Sequence, residues 1–289
     1  MTTHNWKTGL QEIGDGVFAY IREGVGWDIC NSGLIIGDEE CLVVDAMMVG
    51  GMVRPYLEEI RRITDKPVRY VVDTHHHVDH AFGNQFYRPA NILGHEGCRN
   101  LLLSRGADPE ALTRRWPQYE DDWRQVDLTP PNVTYADKMT VHLGNRSVEL
   151  IHPGPAHTFG DTLVYLPEEK ILFTGDIVFQ YLVPLAADGH VSNWIKVIRR
   201  LRNKMDIDTI VTGHGPVARK DAMGWTHSYF KKLKKICKEH FRSGKSPEEA
   251  ASAFLLGELA GWEEPERTLI NARRMYLEMR GGSMEGRTS

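Results

Sequence analysis

Side chains that could bind metal ions are concentrated in one short segment and then recur singly further along the chain. The segment is Thr74-His75-His76-His77-Val78-Asp79-His80, and the isolated donors each follow an apolar run and stand beside or close to glycine. The candidate ligands are His75, His77, Asp79, His80, His157, Asp176 and His214. Imidazole and carboxylate together suit zinc, and also iron or manganese. Metal ions held in this way commonly activate water, so the pattern predicts metal-dependent hydrolysis.

The elements that must position these donors can be read from the apolar pattern. The predicted strands are residues 17–21, 32–36, 41–44, 68–72, 141–143, 148–151, 163–166, 171–173 and 207–211. Helices are predicted at residues 53–63, 101–103, 110–116 and 194–201, and over most of the chain from about residue 220. The strand of residues 68–72 runs directly into the histidine segment, and the later donors also follow strands. Loops at strand ends commonly carry functional sites.

Strands and helices alternate in two successive halves, which predicts two packed β-sheets with helices outside. Periodicity alone leaves the class open between α/β and α+β.

The combination HxHxDH, then His157, Asp176 and His214, resembles the metallo-β-lactamase superfamily. The resemblance also includes the surrounding segments LVVDA, GPAHTFGDTLVYLPEEKILFTGD and TGHGPV, and it extends over roughly residues 15–218. It implies an α+β fold, an αβ/βα four-layer sandwich with two packed mixed sheets, outer helices and a dinuclear metal site at one edge. It further implies a catalytic domain at 1–218, with a helical insertion at about 96–127, and a C-terminal helical extension at 219–289.

The resemblance also implies a role for each donor. The first ion would be held by His75, His77 and His157, the second by Asp79, His80 and His214, and Asp176 would bridge the two. Asp79 would in addition orient the nucleophile, which makes it the expected catalytic residue. Asp45 and Asp73, together with Thr74, are expected to orient ligands, because such partners fix histidine tautomers. The implied cofactor is a pair of divalent ions, with Zn²⁺ ahead of iron or manganese.

The expected reaction is hydrolysis of an ester, thioester, lactone or other activated small-molecule bond. Asp176 stands where the commonest zinc β-lactamases carry cysteine, so β-lactam hydrolysis is an alternative rather than the first expectation. Lactonases of the quorum-quenching type usually carry tyrosine where this chain has Phe179. A redox enzyme with one iron, similar to the persulfide dioxygenases, is a second alternative. Flavodiiron proteins are redox enzymes of the same fold, but they carry glutamate at the position of His77, which argues against that class.

Composition bounds the remaining possibilities. The chain has 289 residues, of which 41% are hydrophobic and 26% charged, and its net charge is −4. The negative charge argues against a nucleic-acid partner. No signal peptide or membrane-spanning run is evident, so the expected location is the cytoplasm. A small-molecule substrate is the expected partner, and a homo-oligomer or a complex with a second protein is compatible with the sequence.

Residues 96–127 are unusually charged and contain Trp116, Tyr119 and Trp123. If this stretch is one helix, the spacing of the three aromatic residues places them on one face. We expect them to form a lid that selects substrate, with packing against the body of the protein as the alternative. His190 is a further candidate for contact with substrate.

Overall fold

Apolar residues fill the central strands of the molecule. Strands β4 (Cys41–Val44) and β10 (Leu163–Leu166) are buried along their whole length, as expected for strands covered on both faces. These strands belong to two different sheets. The computed structural model describes residues 6–24, 26, 28–254, 257 and 261–281.

Within the described residues, the first sheet has seven strands, and their order in space is their order in the chain. They are β1 (Gly9–Gly14), β2 (Val17–Ile21), β3 (Ser32–Ile36), β4, β5 (Val68–Val72), β6 (Asn91–His95) and β7 (Val133–Tyr135). Neighbours from β1 to β4 pair antiparallel, and neighbours from β4 to β7 pair parallel. The sheet is therefore mixed.

The second sheet has six strands in the part of the chain that the structure describes. In spatial order they are β13 (Ala218–Arg219), β12 (Thr209–Thr212), β11 (Ile171–Gly175), β10, β9 (Arg146–Ile151) and β8 (Lys138–Leu143). Strands β11 and β12 pair parallel, whereas the other neighbours pair antiparallel. This sheet is mixed as well.

Helices lie outside both sheets. They are α1 (Gly50–Ile63), α2 (Val78–Ala81), α3 (Glu96–Arg105), α4 (Pro109–Arg115), α5 (Glu120–Trp123), α6 (Val191–Lys204), α7 (Met223–Arg242), α8 (Pro247–Ser252) and α9 (Arg267–Met279). Short 3₁₀ turns occur at Phe82–Tyr87, Pro117–Tyr119 and Lys220–Ala222. Helix α8 begins with a capping box between Ser246 and Glu249, which satisfies backbone donors at its first turn.

Three apolar layers hold the sandwich together. The middle layer lies between the sheets, where Leu42 and Val72 of the first sheet meet Phe173 and Val211 of the second. The first sheet and α1 share a second apolar cluster. The second sheet shares a third cluster with α6, α7 and α9. This arrangement confirms the α+β four-layer sandwich.

The C-terminal helices belong to the same apolar cluster as α6 and β11. Helices α7, α8 and α9 therefore pack on the sandwich, and the treatment of residues 219–289 as a separate extension stays a prediction. That range includes residues 255, 256, 258–260 and 282–289, which lie outside the described residues. Among the helices that are described, none is long and apolar enough to cross a membrane.

Candidate metal centre

The histidine segment is a short connection between the buried end of a strand and a single-turn helix. Strand β5 ends at Val72, and α2 begins at Val78 with His77 at its N-cap. The rings of His75 and His77 lie 4.6 Å apart, edge to face. Asp79 and His80 follow in the single turn of α2. One short segment thus delivers four donors to the same edge of the first sheet.

The second sheet contributes its donors from three separate connections. His157 lies in the loop between β9 and β10, Asp176 directly after β11, and His214 shortly after β12. Glycine is required beside two of them. Gly175 has a φ of +48°, and a Cβ on Gly213 would lie 2.0 Å from an oxygen of Asp176. The backbone therefore approaches the site more closely than any other residue would allow.

The loop that carries His157 is fixed from within. The buried carboxylate of Asp161 accepts hydrogen bonds from the backbone N–H groups of Ala156 and Thr158 and from the hydroxyl of Thr158. Burial raises the pKa of Asp161 to about 7, against the lowering effect of these hydrogen bonds. This network holds the loop in the form that directs His157 inwards.

We call His75, His77 and His157 the first cluster. Nδ1 of His77 lies 3.0 Å from Nε2 of His75 and 3.0 Å from Nε2 of His157. The outward nitrogens of the three rings have partners: Oγ1 of Thr74 at 3.1 Å, a carboxylate oxygen of Asp188 at 2.9 Å, and the carbonyl of Leu185 at 2.9 Å. These contacts place the N–H of each ring outside the cluster. Three unprotonated nitrogens therefore face one point.

We call Asp79, His80 and His214 the second cluster. The side-chain oxygen Oδ2 of Asp79 lies 3.4 Å from Nε2 of His80 and 3.5 Å from Nε2 of His214. The outward Nδ1 of His80 contacts a carboxylate oxygen of Asp45 at 2.8 Å. Within the described residues, Nδ1 of His214 has no hydrogen-bond partner. Over the described residues, the second cluster therefore has an outward ring nitrogen without a hydrogen-bond partner, whereas the first cluster has none.

Asp176 lies between the two clusters. Its Oδ2 is 3.6 Å from Nε2 of His157 and 3.3 Å from Nε2 of His214, and its Oδ1 is 3.4 Å from Nε2 of His80. One carboxylate thus reaches a ring of the first cluster and two rings of the second. The carboxylate of Asp176 is therefore shared between the two clusters.

Burial and neighbouring charge set the protonation of these groups. Burial lowers the pKa of His75 well below its usual range, and nearby His80 lowers it further. Burial also lowers the pKa of His157 to about 3. Burial alone would raise the pKa of Asp176, but His214 and His80 outweigh that effect and hold it below its usual value. Burial alone would lower the pKa of His80, but Asp79 and other nearby anions raise it well above its usual value. His75 and His157 are therefore neutral, whereas His80 pairs with an ionised Asp176.

The donor set fits divalent cations. Three ring nitrogens that face one another at 3.0 Å and carry no proton repel one another unless a cation lies between them. In the part of the chain described here, the buried atoms Nε2 of His80 and Oδ1 of Asp176 also lack hydrogen-bond partners, a costly state for buried polar groups. Groups of His and Asp spaced to hold a metal recur at both clusters. The fold and these groups indicate divalent metal binding.

Asp45 supports both clusters from behind. Its carboxylate accepts hydrogen bonds from the backbone N–H of Thr74 at 2.8 Å, from the hydroxyl of Thr74 at 2.9 Å and from Nδ1 of His80. Its backbone adopts a φ of +61°, which is uncommon outside glycine and is tolerated best by Asp and Asn. This strained strand end directs the carboxylate toward His80 and, through Thr74, toward His75.

Asp73 lies elsewhere. Its Oδ2 accepts a hydrogen bond from the amide of Asn84 at 2.8 Å, and among the described residues its Oδ1 has no hydrogen-bond partner. The sequence grouped Asp73 with Thr74 as orienting residues, but the contact with His75 is made by Thr74. The role of Asp73 stays a prediction that these contacts do not support.

Sequence reasoning missed Asp188 and Arg105. Both oxygens of Asp188 pair with the guanidinium of Arg105, at 2.9 and 2.7 Å. Burial would raise the pKa of Asp188, but His77 and Arg105 hold it far below its usual range. The buried ring of His76 approaches the same carboxylate at 3.9 Å. Asp188 precedes glycine in the sequence, which is the usual signature of a turn, and no local signal marks it as a partner of His77.

The proposed lid residues do not share one helix, so that part of the prediction is wrong. Trp116 follows the end of α4, Tyr119 lies in a 3₁₀ turn, and Trp123 ends α5. Pro117 is the cause, because the residue before proline is driven out of the helical conformation; Trp116 has a ψ of 73°. The selection of substrate by these residues stays a prediction.

Of the three aromatic residues, Trp123 is buried, whereas Trp116 and Tyr119 are partly buried. Trp123 is 1% exposed, and its ring N–H donates to the carbonyl of Trp116 at 3.1 Å. The hydroxyl of Tyr119 donates to Asp28 at 3.0 Å. His190 caps α6 by accepting a hydrogen bond from the backbone of Asn193, and its contact with substrate stays a prediction.

Comparisons with known proteins agree with this geometry. A family model described as the metallo-beta-lactamase superfamily matches residues 25–214. The 2,4-dinitroanisole O-demethylase subunit alpha of Nocardioides sp. (strain JS1661) is 30% identical over 222 residues, which cover 74% of this chain and 57% of that protein. The acyl-coenzyme A thioesterase MBLAC2 of Bos taurus is 24% identical over 227 residues, covering 71% of this chain and 80% of the thioesterase.

A solved metallo-beta-lactamase from Pontibacter korlensis shares the fold, with a TM-score of 0.65, 21% identity, and coverage of 78% of this chain and 99% of the other. The chain spans little more than half of the demethylase subunit, at 57% of its length. The family match and the hydrolase names of several relatives support metal-dependent hydrolysis at the level of the superfamily. The chain therefore belongs to the metallo-beta-lactamase superfamily.

Proposed function

We propose that this protein is a hydrolase with two divalent metal ions. The observation that carries the proposal is the position of Asp176, whose carboxylate lies within 3.6 Å of His157 in the first cluster and within 3.3 Å of His214 in the second. A complete donor set on each side of one carboxylate is what a pair of ions requires. A single ion would leave one buried cluster without a partner.

Each cluster would hold one ion, with Asp176 between them. Zinc suits the set of imidazoles and carboxylates best, and iron or manganese are the alternatives. Bound there, two divalent ions would lower the pKa of water to about 7 and stabilise charge on the substrate oxygen and on the leaving group.

The chain's own residues would orient the attacking water. Asp79 is the proposed catalytic residue, because its carboxylate belongs to the second cluster and its side chain is 10% exposed, more than Asp176 at 7%. It would orient the attacking water by accepting a hydrogen bond from it. The ring of Phe179 lies parallel to that of His214, with an interplanar angle of 8° and 6.1 Å between the ring centroids. This position carries no phenol hydroxyl to assist a leaving group, which disfavours lactonase chemistry of the quorum-quenching type.

The substrate class we propose is a small molecule with an activated bond, such as an ester, thioester or lactone. One relative is named an acyl-coenzyme A thioesterase, and another is named a 2,4-dinitroanisole O-demethylase subunit. Both names describe substrates with a good leaving group, a thiolate or a nitro-substituted phenolate. We place β-lactam hydrolysis behind these, because Asp176 stands in place of cysteine.

We propose that the protein acts on small molecules and not on nucleic acid, given its net charge of −4. An assembly with a second copy or with another protein is part of the proposal. The demethylase relative is named as a subunit, which supports testing for a partner. Size-exclusion chromatography with light scattering would measure the oligomeric state.

Metal analysis and a substrate panel test the proposal together. We expect about two ions per chain, loss of activity on chelation, and recovery with Zn²⁺, Mn²⁺ or Fe²⁺. The panel should contain esters, thioesters, lactones, nitroaryl ethers and β-lactams. Activity retained with less than about one ion per chain would refute the proposal. One iron per chain with consumption of oxygen would support the redox alternative instead.

A further inference from the structure

The connection between β11 and α6 supplies two of the three outward partners of the first cluster. We call residues 181–192, which include the first two residues of α6, the acceptor loop. The carbonyl of Leu185 contacts Nδ1 of His157 at 2.9 Å, and the carboxylate of Asp188 contacts Nε2 of His77 at 2.9 Å. The loop therefore sets the orientation of both rings, although it contributes no donor to either cluster.

The start of the acceptor loop is tied to the chain just before α9. Glu263 donates its backbone N–H to the carbonyl of Tyr181 at 2.8 Å and accepts from the N–H of Val183 at 3.0 Å. The two segments thus pair as a short parallel bridge. The C-terminal part of the chain holds this end of the loop through its backbone.

Helix α9 continues the contact with a row of polar side chains. The members of this row, spaced four, three and four residues apart, are Arg267, Asn271, Arg274 and Glu278. This spacing puts them on one face of the helix. The first three are at most 3% exposed. Buried polar side chains in such a row require partners, and each finds them on the backbone of the acceptor loop.

Asn271 lies at the centre of the row. Its amide nitrogen donates to the carbonyl of Pro184 at 2.6 Å, and its amide oxygen accepts from the N–H of Ala186 at 2.7 Å. These two bonds bracket Leu185, whose carbonyl faces His157. Asn271 therefore fixes the peptide that orients His157.

The other three members hold the two ends of the loop. Arg267 donates to the carbonyl of Val183 at 3.1 Å, and Arg274 donates to the carbonyl of Gly189 at 2.6 Å. Glu278 accepts from the backbone at the beginning of α6, at 2.5 and 3.1 Å. Asp188, one residue before Gly189, is clamped from the opposite side by Arg105 of α3.

We propose that α9 and Arg105 are positioning elements of the metal centre: together they hold the acceptor loop so that Leu185 and Asp188 fix the rings of His157 and His77. The inference rests on the proposed function for its metal chemistry. The C-terminal helix would therefore influence metal affinity, although it is far from most of the ligands in the sequence. Asp188, Asn271 and Arg105 are positioning residues in this scheme.

The first test compares Asn271→Ala with Arg273→Ala. Arg273 lies on the same helix but points to Glu248 of α8, with a side chain that is 41% exposed, and so serves as the matched control. Zn²⁺ affinity is measured by competition with a chromophoric chelator. We expect Asn271→Ala to weaken the tighter Zn²⁺ site about 10- to 100-fold, the effect typical of groups behind metal ligands, and Arg273→Ala to leave it unchanged. Equal affinities in folded Asn271→Ala and parent protein would overturn the proposal.

A second pair of variants covers the case in which Asn271→Ala does not fold. Arg105→Gln alters a side chain that is 32% exposed, and Asp188→Asn retains an oxygen that can accept from His77, whereas Asp188→Ala does not. We expect affinity to fall in the order parent, Asp188→Asn, Asp188→Ala, with Arg105→Gln below the parent. If all four proteins bind Zn²⁺ equally, the proposal is wrong.

Ring ¹⁵N chemical shifts separate this inference from the proposed function. In the metal-free protein we expect His77 to carry its proton on Nε2 and His157 on Nδ1, and we expect Asp188→Ala to mix the tautomers of His77. A merely structural role would lower the melting temperature and leave the tautomers unchanged, which would overturn the proposal. If the parent binds no Zn²⁺, the proposed function fails, while these shifts still decide the role of the loop.

Discussion

The two clusters of the metal centre differ in how their outward atoms are held. The three rings of the first cluster are each backed by a separate group: a hydroxyl, a carboxylate and a carbonyl. In the second cluster His80 is backed by Asp45, whereas Nδ1 of His214 has no partner among the described residues. The first cluster is therefore preorganised by three groups on two segments of the chain, and the second by one group.

This difference predicts unequal affinities. A ligand ring that is already held in its binding orientation loses less freedom when the ion binds. We therefore expect the first site to fill at lower metal concentration and the second to exchange more readily.

The largest expected effect follows from removing the group that the clusters share. Asp176→Ala should keep the fold but lose the second ion and most turnover, with a larger effect on kcat than on KM. Because Asp176 is itself a proposed ligand, the loss should exceed the roughly 100-fold upper end known for groups behind ligands. Steady-state kinetics and elemental analysis of the purified variant check this.

Asp206→Ala is a suitable control for Asp176→Ala. Asp206 is a largely exposed carboxylate, paired with Lys170 at 2.7 Å and far along the second sheet from the site. We expect this variant to retain two ions and the turnover of the parent. If Asp176→Ala also keeps both ions and an unchanged kcat, the carboxylate does not bridge the clusters.

Graded chelation should resolve the two sites without any mutation. As the concentration of chelator rises, we expect the ion of the second cluster to leave first. The ion of the first cluster should leave only at about 10- to 100-fold higher chelator, the factor that outward partners typically contribute. Substituting Co²⁺ makes each step visible in the absorption spectrum. Simultaneous loss of both ions would show that the difference in backing has no consequence for affinity.

The seven candidate ligands also differ in how far the sequence predicts them, and this division runs across both clusters. His75, His77, Asp79 and His80 lie in one short segment, so the local sequence is enough to indicate them. His157, Asp176 and His214 are separated by whole strands, and their common point depends on pairing between β11 and β12. The resemblance to a known family supplied what spacing alone could not.

Other features were predictable only where the local pattern is strong. Strands at residues 32–36, 41–44 and 68–72 were predicted with the bounds observed, because they are apolar runs bounded by turns. Strand β6 was not predicted, since Asn91 and Gly94 dilute its apolar character. The partnership of Asp188 with His77 spans 111 positions in the sequence, and neither residue type indicates the other. Such contacts are created by the fold.

A smaller effect is expected from the backing of the second cluster. Asp45→Asn replaces one acceptor oxygen by an N–H₂ group, so the amide cannot accept both from the backbone N–H of Thr74 and from His80, as the two carboxylate oxygens do. We expect the second ion to bind about 10-fold more weakly, and the first ion to change less, because Thr74 still contacts His75. Chelator competition on the purified variant measures both.

Asp38→Asn is the matched control for Asp45→Asn, since Asp38 also accepts a backbone hydrogen bond, from Asn145 at 2.9 Å, in an exposed turn. It should leave both affinities unchanged. A loss of equal size at the two sites in Asp45→Asn would mean that Asp45 supports the centre as a whole, and the contrast between the clusters would have to be revised.

The smallest expected effect on either cluster comes from the aromatic residues of the 96–127 segment. Trp123 is buried in the apolar cluster beside the first sheet, so Trp123→Ala should lower the free energy of unfolding by about 3–5 kcal/mol. Trp116 is only partly buried there and lies 6.0 Å from the ring of Trp123. Trp116→Ala should cost less stability, and both variants should keep the metal content of the parent.

Kinetics then decide whether this segment touches substrate. If Trp116 lines the entrance to the metal centre, Trp116→Ala should change KM and the ranking of substrates, while kcat for the best substrate stays near that of the parent, because uniform binding is lost without change at the reacting atoms. Trp123→Ala serves as the comparison, since its ring is internal. If the two variants lower the melting temperature yet preserve the same relative activities across the panel, both tryptophans stabilise the fold, and selection of substrate must be sought in the residues nearer the acceptor loop.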